Sequence, residues 1–159
     1  MGGVIPLQRV AVALGSNVGD RKAHLDFAVS RLQRILADTT VSTLIETSAV
    51  GVAPQADFLN GAVVGNSQAE AREFLEQLRV IERERGRERP YVGAPRTLDL
   101  DLVLFGLTTI DEPGLTVPHP RFRERRFVLE PLAEIAPDLF DPVTGLTVRT
   151  LLDVLTGRT

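Results

Sequence analysis

The sequence contains no cysteine and no tryptophan, and only one methionine and one tyrosine. Without cysteine there are no disulfides, no thiolate metal sites and no cysteine nucleophile. No apolar run approaches the ~18 residues of a membrane span. The N-terminus also lacks the apolar core of a secretory signal, so the chain reads as cytoplasmic and without membrane contact. A net charge of −3 argues against broad nucleic-acid binding, which needs a basic surface. Lysine is nearly absent as well: Lys22 is the single one among 18 basic residues, and nine arginines fall between Arg83 and Arg126. A GC-rich genome favours arginine over lysine generally but does not explain the clustering. Guanidinium groups are suited to bidentate phosphate binding.

What is present is ordinary for a globular protein: 43% apolar and 25% charged residues in 159. That length suits one domain, 1–159, burying roughly two-thirds of its unfolded surface. There are no repeats and no linker. "RVAVALG" (9–15) predicts a buried strand, and "GSNVGD" a turn in which Asp20 or Asn17 caps the next helix. Leu25, Ala28, Val29, Leu32, Ile35 and Leu36 recur at helical spacing. "TTVSTLIET" (39–47) predicts one strand and "FLNGAVVG" (58–65) another, on either side of a Gly/Pro loop. Ser67 and Glu70 form a capping box for a helix with Ala71, Phe74, Leu75, Leu78 and Ile81 on one face. An arginine-rich loop is expected over 83–96, then a strand, a short helical piece from about Phe127 and a last helix over 147–155. The order β-α-β-β-α-β predicts an α+β, ferredoxin-like sandwich, with a mostly antiparallel sheet, helices on one face and the other face open to ligands.

The strand in "PRTLDLDLVLFG" (95–106) carries the strongest chemical signal. Alternation sends Leu98, Leu100, Leu102 and Leu104 to one face and Thr97, Asp99, Asp101, Val103 and Phe105 to the other. Such an apolar back predicts a central strand, and two carboxylates on its front need positive partners, because an unpaired buried carboxylate costs several kcal/mol. A D-x-D pair also occurs on solvated edges, but Arg96 directly precedes this one. Hard oxygen ligands without cysteine suit Mg²⁺, completed by water and substrate phosphates. "GSNVGD" lacks the Walker A and GxGxxG spacings and reads as a structural turn. His119 lies in "TVPHP", ordinarily a turn, yet close to Arg121, Arg123, Arg125 and Arg126. His24 reads as a surface residue. Glu82 continues the apolar stripe of its helix, where a solvated glutamate is out of place, although glutamates at helix ends are commonly exposed.

"PRTLDLDLVLFG" followed by "LTVPHPRFRERRFVLEPL", with "ALGSNVGDR" and "FLNGAV" earlier in the same order, resembles the 6-hydroxymethyl-7,8-dihydropterin pyrophosphokinases of folate biosynthesis over essentially the whole chain. The resemblance implies transfer of the β,γ-pyrophosphoryl unit of ATP to the pterin hydroxymethyl oxygen, with release of AMP. It implies two Mg²⁺ ions held by Asp99 and Asp101, and a pterin between the rings of Phe58 and Phe127. Asn60 would bond the polar edge of the pterin, aided by backbone groups near Thr47 and Val50. Glu82 and Thr116 would lie by the nucleotide, and Arg87, Arg89, Arg96, His119 and Arg125 by the phosphates or departing groups. The implied partners are small molecules alone, for a monomeric enzyme. The chain departs from the family pattern at "YVGAP", which replaces a Trp-Gly-Pro in a loop one residue shorter, and at Ser48, Phe58 and Pro120. The alternatives are another Mg-dependent phosphotransferase on this fold, or an RNA-binding ferredoxin-like module. The RNA module would leave the aspartates unexplained.

Overall fold

The structure is a computed structural model that describes residues 6–47, 57–86 and 97–158. In chain order its elements are β1 (Gln8–Ser16), α1 (Arg21–Ile35), β2 (Ala37–Val41), β3 (Ile45–Thr47), β4 (Phe58–Ser67), α2 (Ala71–Gly86), β5 (Asp99–Phe105), β6 (Ile110–Glu112) and β7 (Leu115–Val117). A short 3₁₀ turn (Phe122–Glu124), α3 (Arg126–Ile135) and α4 (Val148–Thr156) follow. Four strands lie in the order β2-β4-β1-β5, with β3 also on β4, and every pairing is antiparallel. The small hairpin β6–β7 was not foreseen. The ferredoxin-like α+β sheet is therefore present, but with helices on both of its faces.

One face carries α1 and α2. Val10, Val12 and Leu14 of β1 and Val63 of β4 pack there against Leu25, Leu32, Phe74 and Leu78. Each such buried side chain contributes about 1.5–3 kcal/mol. The helix stripes read from the sequence are the buried ones, and Asp20 caps α1 by accepting from Ala23 N–H at 3.1 Å. The capping box did not form. Ser67 instead closes a tight turn with Ala69 at 3.0 Å, and α2 starts only at Ala71. At its other end α2 runs on to Gly86, so Arg83 and Arg85 are helical rather than part of a loop. The stretch 87–96, with Arg87, Arg89, Tyr91 and Arg96, lies outside the described residues.

The expectation of an open second face is corrected by α3 and α4. Val128, Leu129, Leu132, Leu151 and Leu152 cover Ala11, Ala13, Ala62 and Val64 in a separate core. The small side chains of the strands let the helices approach closely. The covering stops short of one end of the sheet, and that end remains accessible.

Strand β5 departs from the simple reading in two ways. Leu102 pairs with Val12 but Leu104 with Ala11, so Val103 is an extra residue, a β-bulge. Beyond it the alternation reverses: Leu104 joins the α3/α4 core and Phe105 the other. The strand is also at the edge of the sheet rather than central. An edge strand leaves N–H and C=O groups unpaired, and here the rest of the chain satisfies some of them. Glu82 accepts from Leu100 N–H at 2.8 Å, and His119 N–H donates to Val103 C=O at 2.9 Å.

The predicted strand 39–47 is broken in two. Ser42 replaces a regular rung: its N–H donates to Ala62 C=O at 3.0 Å, while its Oγ accepts from Ala62 N–H at 2.8 Å. After this joint β3 resumes one residue out of step.

Candidate active site

The ladder registers bring three of the predicted residues, Asp99, Asp101 and Asn60, to one face. Asp99 lies opposite Gly15, and Gly15 opposite Asn60, in one row across β5, β1 and β4. Asp101 lies opposite Ala13 in the neighbouring row. Directly opposed residues share a face, so Asp99, Asp101, Gly15 and Asn60 all point to the end of the sheet that α3 leaves uncovered. With strands about 4.8 Å apart, the carboxylates and the amide stand on the order of 10 Å from each other.

Above this floor is a cavity of 840 Å³ lined by Thr47, Phe58, Asn60, Asp99, Asp101, His119, Arg125 and Phe127. Ala13, Leu14, Gly15, Arg121, Glu124 and Val128 complete its walls. These last six were missed. Gly15 at least had a signal, a glycine ending an apolar strand; Glu124 had none. Val50 lies outside the described residues. Thr116 is exposed on β7, and neither it nor Glu82 lines the cavity.

At the amide end, Asn60 is 4% exposed. Its Nδ2 donates to Thr47 Oγ1 at 2.6 Å, which fixes the rotamer and turns Oδ1 toward Gly15. A Cβ on Gly15 would stand 3.1 Å from that oxygen and 3.8 Å from the Phe58 ring. The absent side chain is what leaves room over the floor. Phe58 and Phe127 supply apolar walls from β4 and from the first turn of α3.

At the carboxylate end, Arg125 Nη1 is 3.8 Å from Asp101 Oδ2, and its guanidinium also lies over Phe127 at 5.7 Å. The arginine cluster divides its work. Arg123 forms a two-pronged pair with the fully buried Asp141, at 2.5 and 2.9 Å, which ties the 3₁₀ turn to the segment before α4. Arg126 pairs with Glu130 on the surface of α3. Arg121, whose Nε donates to Glu124 at 3.3 Å, and Arg125 line the cavity.

His119 reaches the site because its backbone is docked on β5. Its Nδ1 accepts from Arg121 N–H at 3.1 Å, so the neutral ring carries its proton on Nε2. Burial, then Arg125 and Arg121, hold its pKa below the usual histidine value, with Asp99 opposing them. His24 is not a simple surface residue: Arg85 Nε donates to its Nδ1 at 2.8 Å, and burial followed by Arg85 lowers its pKa.

Among the described residues there is no group of three or more His, Asp or Glu side chains able to hold a metal by themselves. Asp99 and Asp101 supply two carboxylates, so that a metal held by them would take its remaining ligands from water and other oxygens. That donor set fits Mg²⁺, which keeps several waters and binds through one or two carboxylates plus phosphates. No described helix is long and apolar enough to cross a membrane.

Comparison with known proteins identifies the family. Residues 11–137 match the family model for 7,8-dihydro-6-hydroxymethylpterin-pyrophosphokinase. The chain is 48% identical over 136 residues to a 2-amino-4-hydroxy-6-hydroxymethyldihydropteridine pyrophosphokinase of Bacillus subtilis, covering 84% of this chain and 81% of that one. It is 42% identical to the enzyme of that name from Pseudomonas aeruginosa, with 84% and 83% covered. Among solved structures, Plasmodium falciparum HPPK-DHPS, an A437G variant with SDX-DHP, superposes with a TM-score of 0.77 at 15% identity. That match shows the fold, and covers 96% of this chain but 46% of the longer one. The family model and these relatives together show that the chain belongs to the 7,8-dihydro-6-hydroxymethylpterin-pyrophosphokinase family.

Proposed function

We infer that this cavity is where the chain carries out the reaction of its family. That reaction moves pyrophosphate from ATP to 6-hydroxymethyl-7,8-dihydropterin in folate biosynthesis, and the chain is an ATP-dependent pyrophosphokinase, a transferase. The observation that carries the placement is the single row Asp99–Gly15–Asn60. It puts carboxylates at one end of the cavity and an amide at the other, which supports a reading with phosphate and metal at the first and the heterocycle at the second.

In this reading the pterin lies between Phe58 and Phe127. Asn60 Oδ1 accepts from its polar edge, and Thr47 and the backbone near Val50 complete the match. The hydroxymethyl group then points along the row toward the aspartates. Asp99 and Asp101 would hold two Mg²⁺ ions. When bound, Mg²⁺ neutralises the triphosphate and polarises its oxygens. Arg125 and the Nε2–H of His119 would contact the phosphates, joined by Arg87, Arg89 and Arg96. The nucleotide would extend past the outer edge of β5, toward Glu82 and Thr116. The pterin hydroxymethyl oxygen gives up its proton to water and forms a bond to the β-phosphorus while the bond from that phosphorus to the bridging oxygen breaks, and AMP departs with the bridging oxygen. For such a transfer, alignment and charge stabilisation are the main demands, and these side chains meet both.

The test is to incubate the protein with ATP, Mg²⁺ and the hydroxymethyl-dihydropterin and to identify the nucleotide released. AMP is expected. ADP would mean transfer of one phosphoryl group instead, and neither nucleotide would remove the assignment.

A further inference from the structure

The joint between β2 and β3 is gripped from above by α3. Glu134, in the last turn of α3, accepts from Thr43 N–H through Oε1 at 2.7 Å and from Thr43 Oγ1 through Oε2 at 2.6 Å. Both carboxylate oxygens are thus spent on one residue of the opposite layer, 91 positions away in sequence. Thr43 sits where the strand is broken, beside Ser42. On the other face, Leu44 presses so close to Gly61 that a Cβ there would stand 2.8 Å from it. The joint is therefore fixed from both sides.

From this joint β3 runs three residues to Thr47, the partner of Asn60 Nδ2. Phe127 lies seven residues before Glu134 on α3, two helical turns away and on the same side. The two walls of the pterin slot, one from α3 and one from β3–β4, meet through the Glu134–Thr43 contact. We propose that Glu134 is a positioning residue for the pterin half of the site, setting the direction of β3 and with it the amide of Asn60 and the width of the slot below Phe127. Glu134 does not line the cavity and acts through Thr43. Its carboxyl is held below the ordinary range by the Thr43 hydroxyl and then the Thr43 N–H, so it is the ion that grips at neutral pH.

The proposal rests on the pterin reading of the cavity, and its test separates the two. Wild-type protein that releases no AMP would defeat that reading before any variant is made. With active wild type, Glu134→Ala should raise the KM and the calorimetric Kd for 6-hydroxymethyl-7,8-dihydropterin about tenfold, the scale expected for losing charge-assisted bonds that orient a site. The ATP constants should stay unchanged. Glu134→Gln keeps an acceptor and should recover most of the loss. Thr43→Val, which keeps the N–H, should weaken pterin binding less, and adding it to Glu134→Ala should cost little more. The Thr43 amide should exchange hydrogen faster in Glu134→Ala. Glu130→Gln, on the same helix, should change nothing. An unchanged pterin Kd in Glu134→Ala, or equal losses for ATP and pterin, would overturn the proposal. If Glu134→Ala does not fold, Thr43→Val, which removes the hydroxyl bond to Glu134, decides the matter by the same two constants: a weaker pterin Kd with unchanged ATP binding is expected, and an unchanged pterin Kd would overturn the proposal.

Discussion

Replacing Gly15 by alanine adds one methyl group at the centre of the floor, and the surrounding geometry sets its effect. The new Cβ would stand 3.1 Å from Asn60 Oδ1 and 3.8 Å from the Phe58 ring. The second distance is an ordinary contact; the first requires Asn60 to give by a few tenths of an ångström. Asn60 has little freedom to do so, because its amide is tied to Thr47 at 2.6 Å and is 4% exposed. The methyl group should therefore displace or mask the oxygen proposed to read the pterin. Losing one buried hydrogen bond costs about 1–3 kcal/mol, which converts to a pterin affinity weaker by roughly 5- to 150-fold. Stability should move the other way or not at all. Alanine within a strand restricts the unfolded chain and contributes about 0.4–1 kcal/mol where the backbone accepts it, offset by the tight contact. Calorimetric titration with the pterin and with an ATP analogue, alongside thermal unfolding, reads each effect separately. A pterin Kd unchanged from wild type in a folded Gly15→Ala variant would refute the reasoning. A matched loss for ATP would show that the residue shapes the whole cavity rather than its pterin end.

Two further outcomes follow from the charges. Asp141→Asn should destabilise the fold by about 1.5–3 kcal/mol, the scale of losing hydrogen bonds to a charged group, and a urea midpoint within error of wild type would contradict this. Burial alone would raise the Asp141 carboxyl, but Arg123, Thr144 and Val143 N–H outweigh it and hold it low. The ligand-free enzyme should also lose stability as the pH falls below the ordinary histidine value of about 6.5, because the depressed His119 must be charged in the folded state at a cost that the unfolded chain does not share. His119→Gln should flatten the fall in melting temperature between pH 7 and 5.5, with His24 supplying what remains; an identical slope in the variant would rule out His119 as the cause.

What was readable in the sequence is what depends on neighbours along the chain. The helix stripes, the Asp20 cap and the Leu98–Leu102 alternation needed only spacing, and the aspartate pair stood out because its own strand made it anomalous. What escaped was decided by groups far away in sequence. The Val103 bulge comes from pairing with β1, and the edge position of β5 is tolerated because Glu82 and His119 satisfy its outward groups. The break at Ser42 depends on Ala62 across the sheet and on Glu134. The capping box failed because β4 runs on through Ser67, which places that serine in a turn before the helix. The second helical layer was hidden because alanines at 11, 13 and 62 carry little hydrophobic signal, although their small size is what seats α3 and α4.

The proposed catalytic role of the cavity stands on Asp99 and Asp101 sharing one face of β5 at its open end. AMP release should be followed in wild type and in the Asp99→Ala and Asp101→Ala variants as Mg²⁺ is titrated, with the melting temperature of each ligand-free protein measured beside it. Wild-type activity should rise with Mg²⁺ and saturate. Each variant should lose several kcal/mol of transition-state stabilisation, about a thousandfold or more in rate, and remain folded, since removing one of two neighbouring carboxylates relieves repulsion in the ligand-free state. Near-normal AMP release from both variants at the same Mg²⁺ would contradict the site.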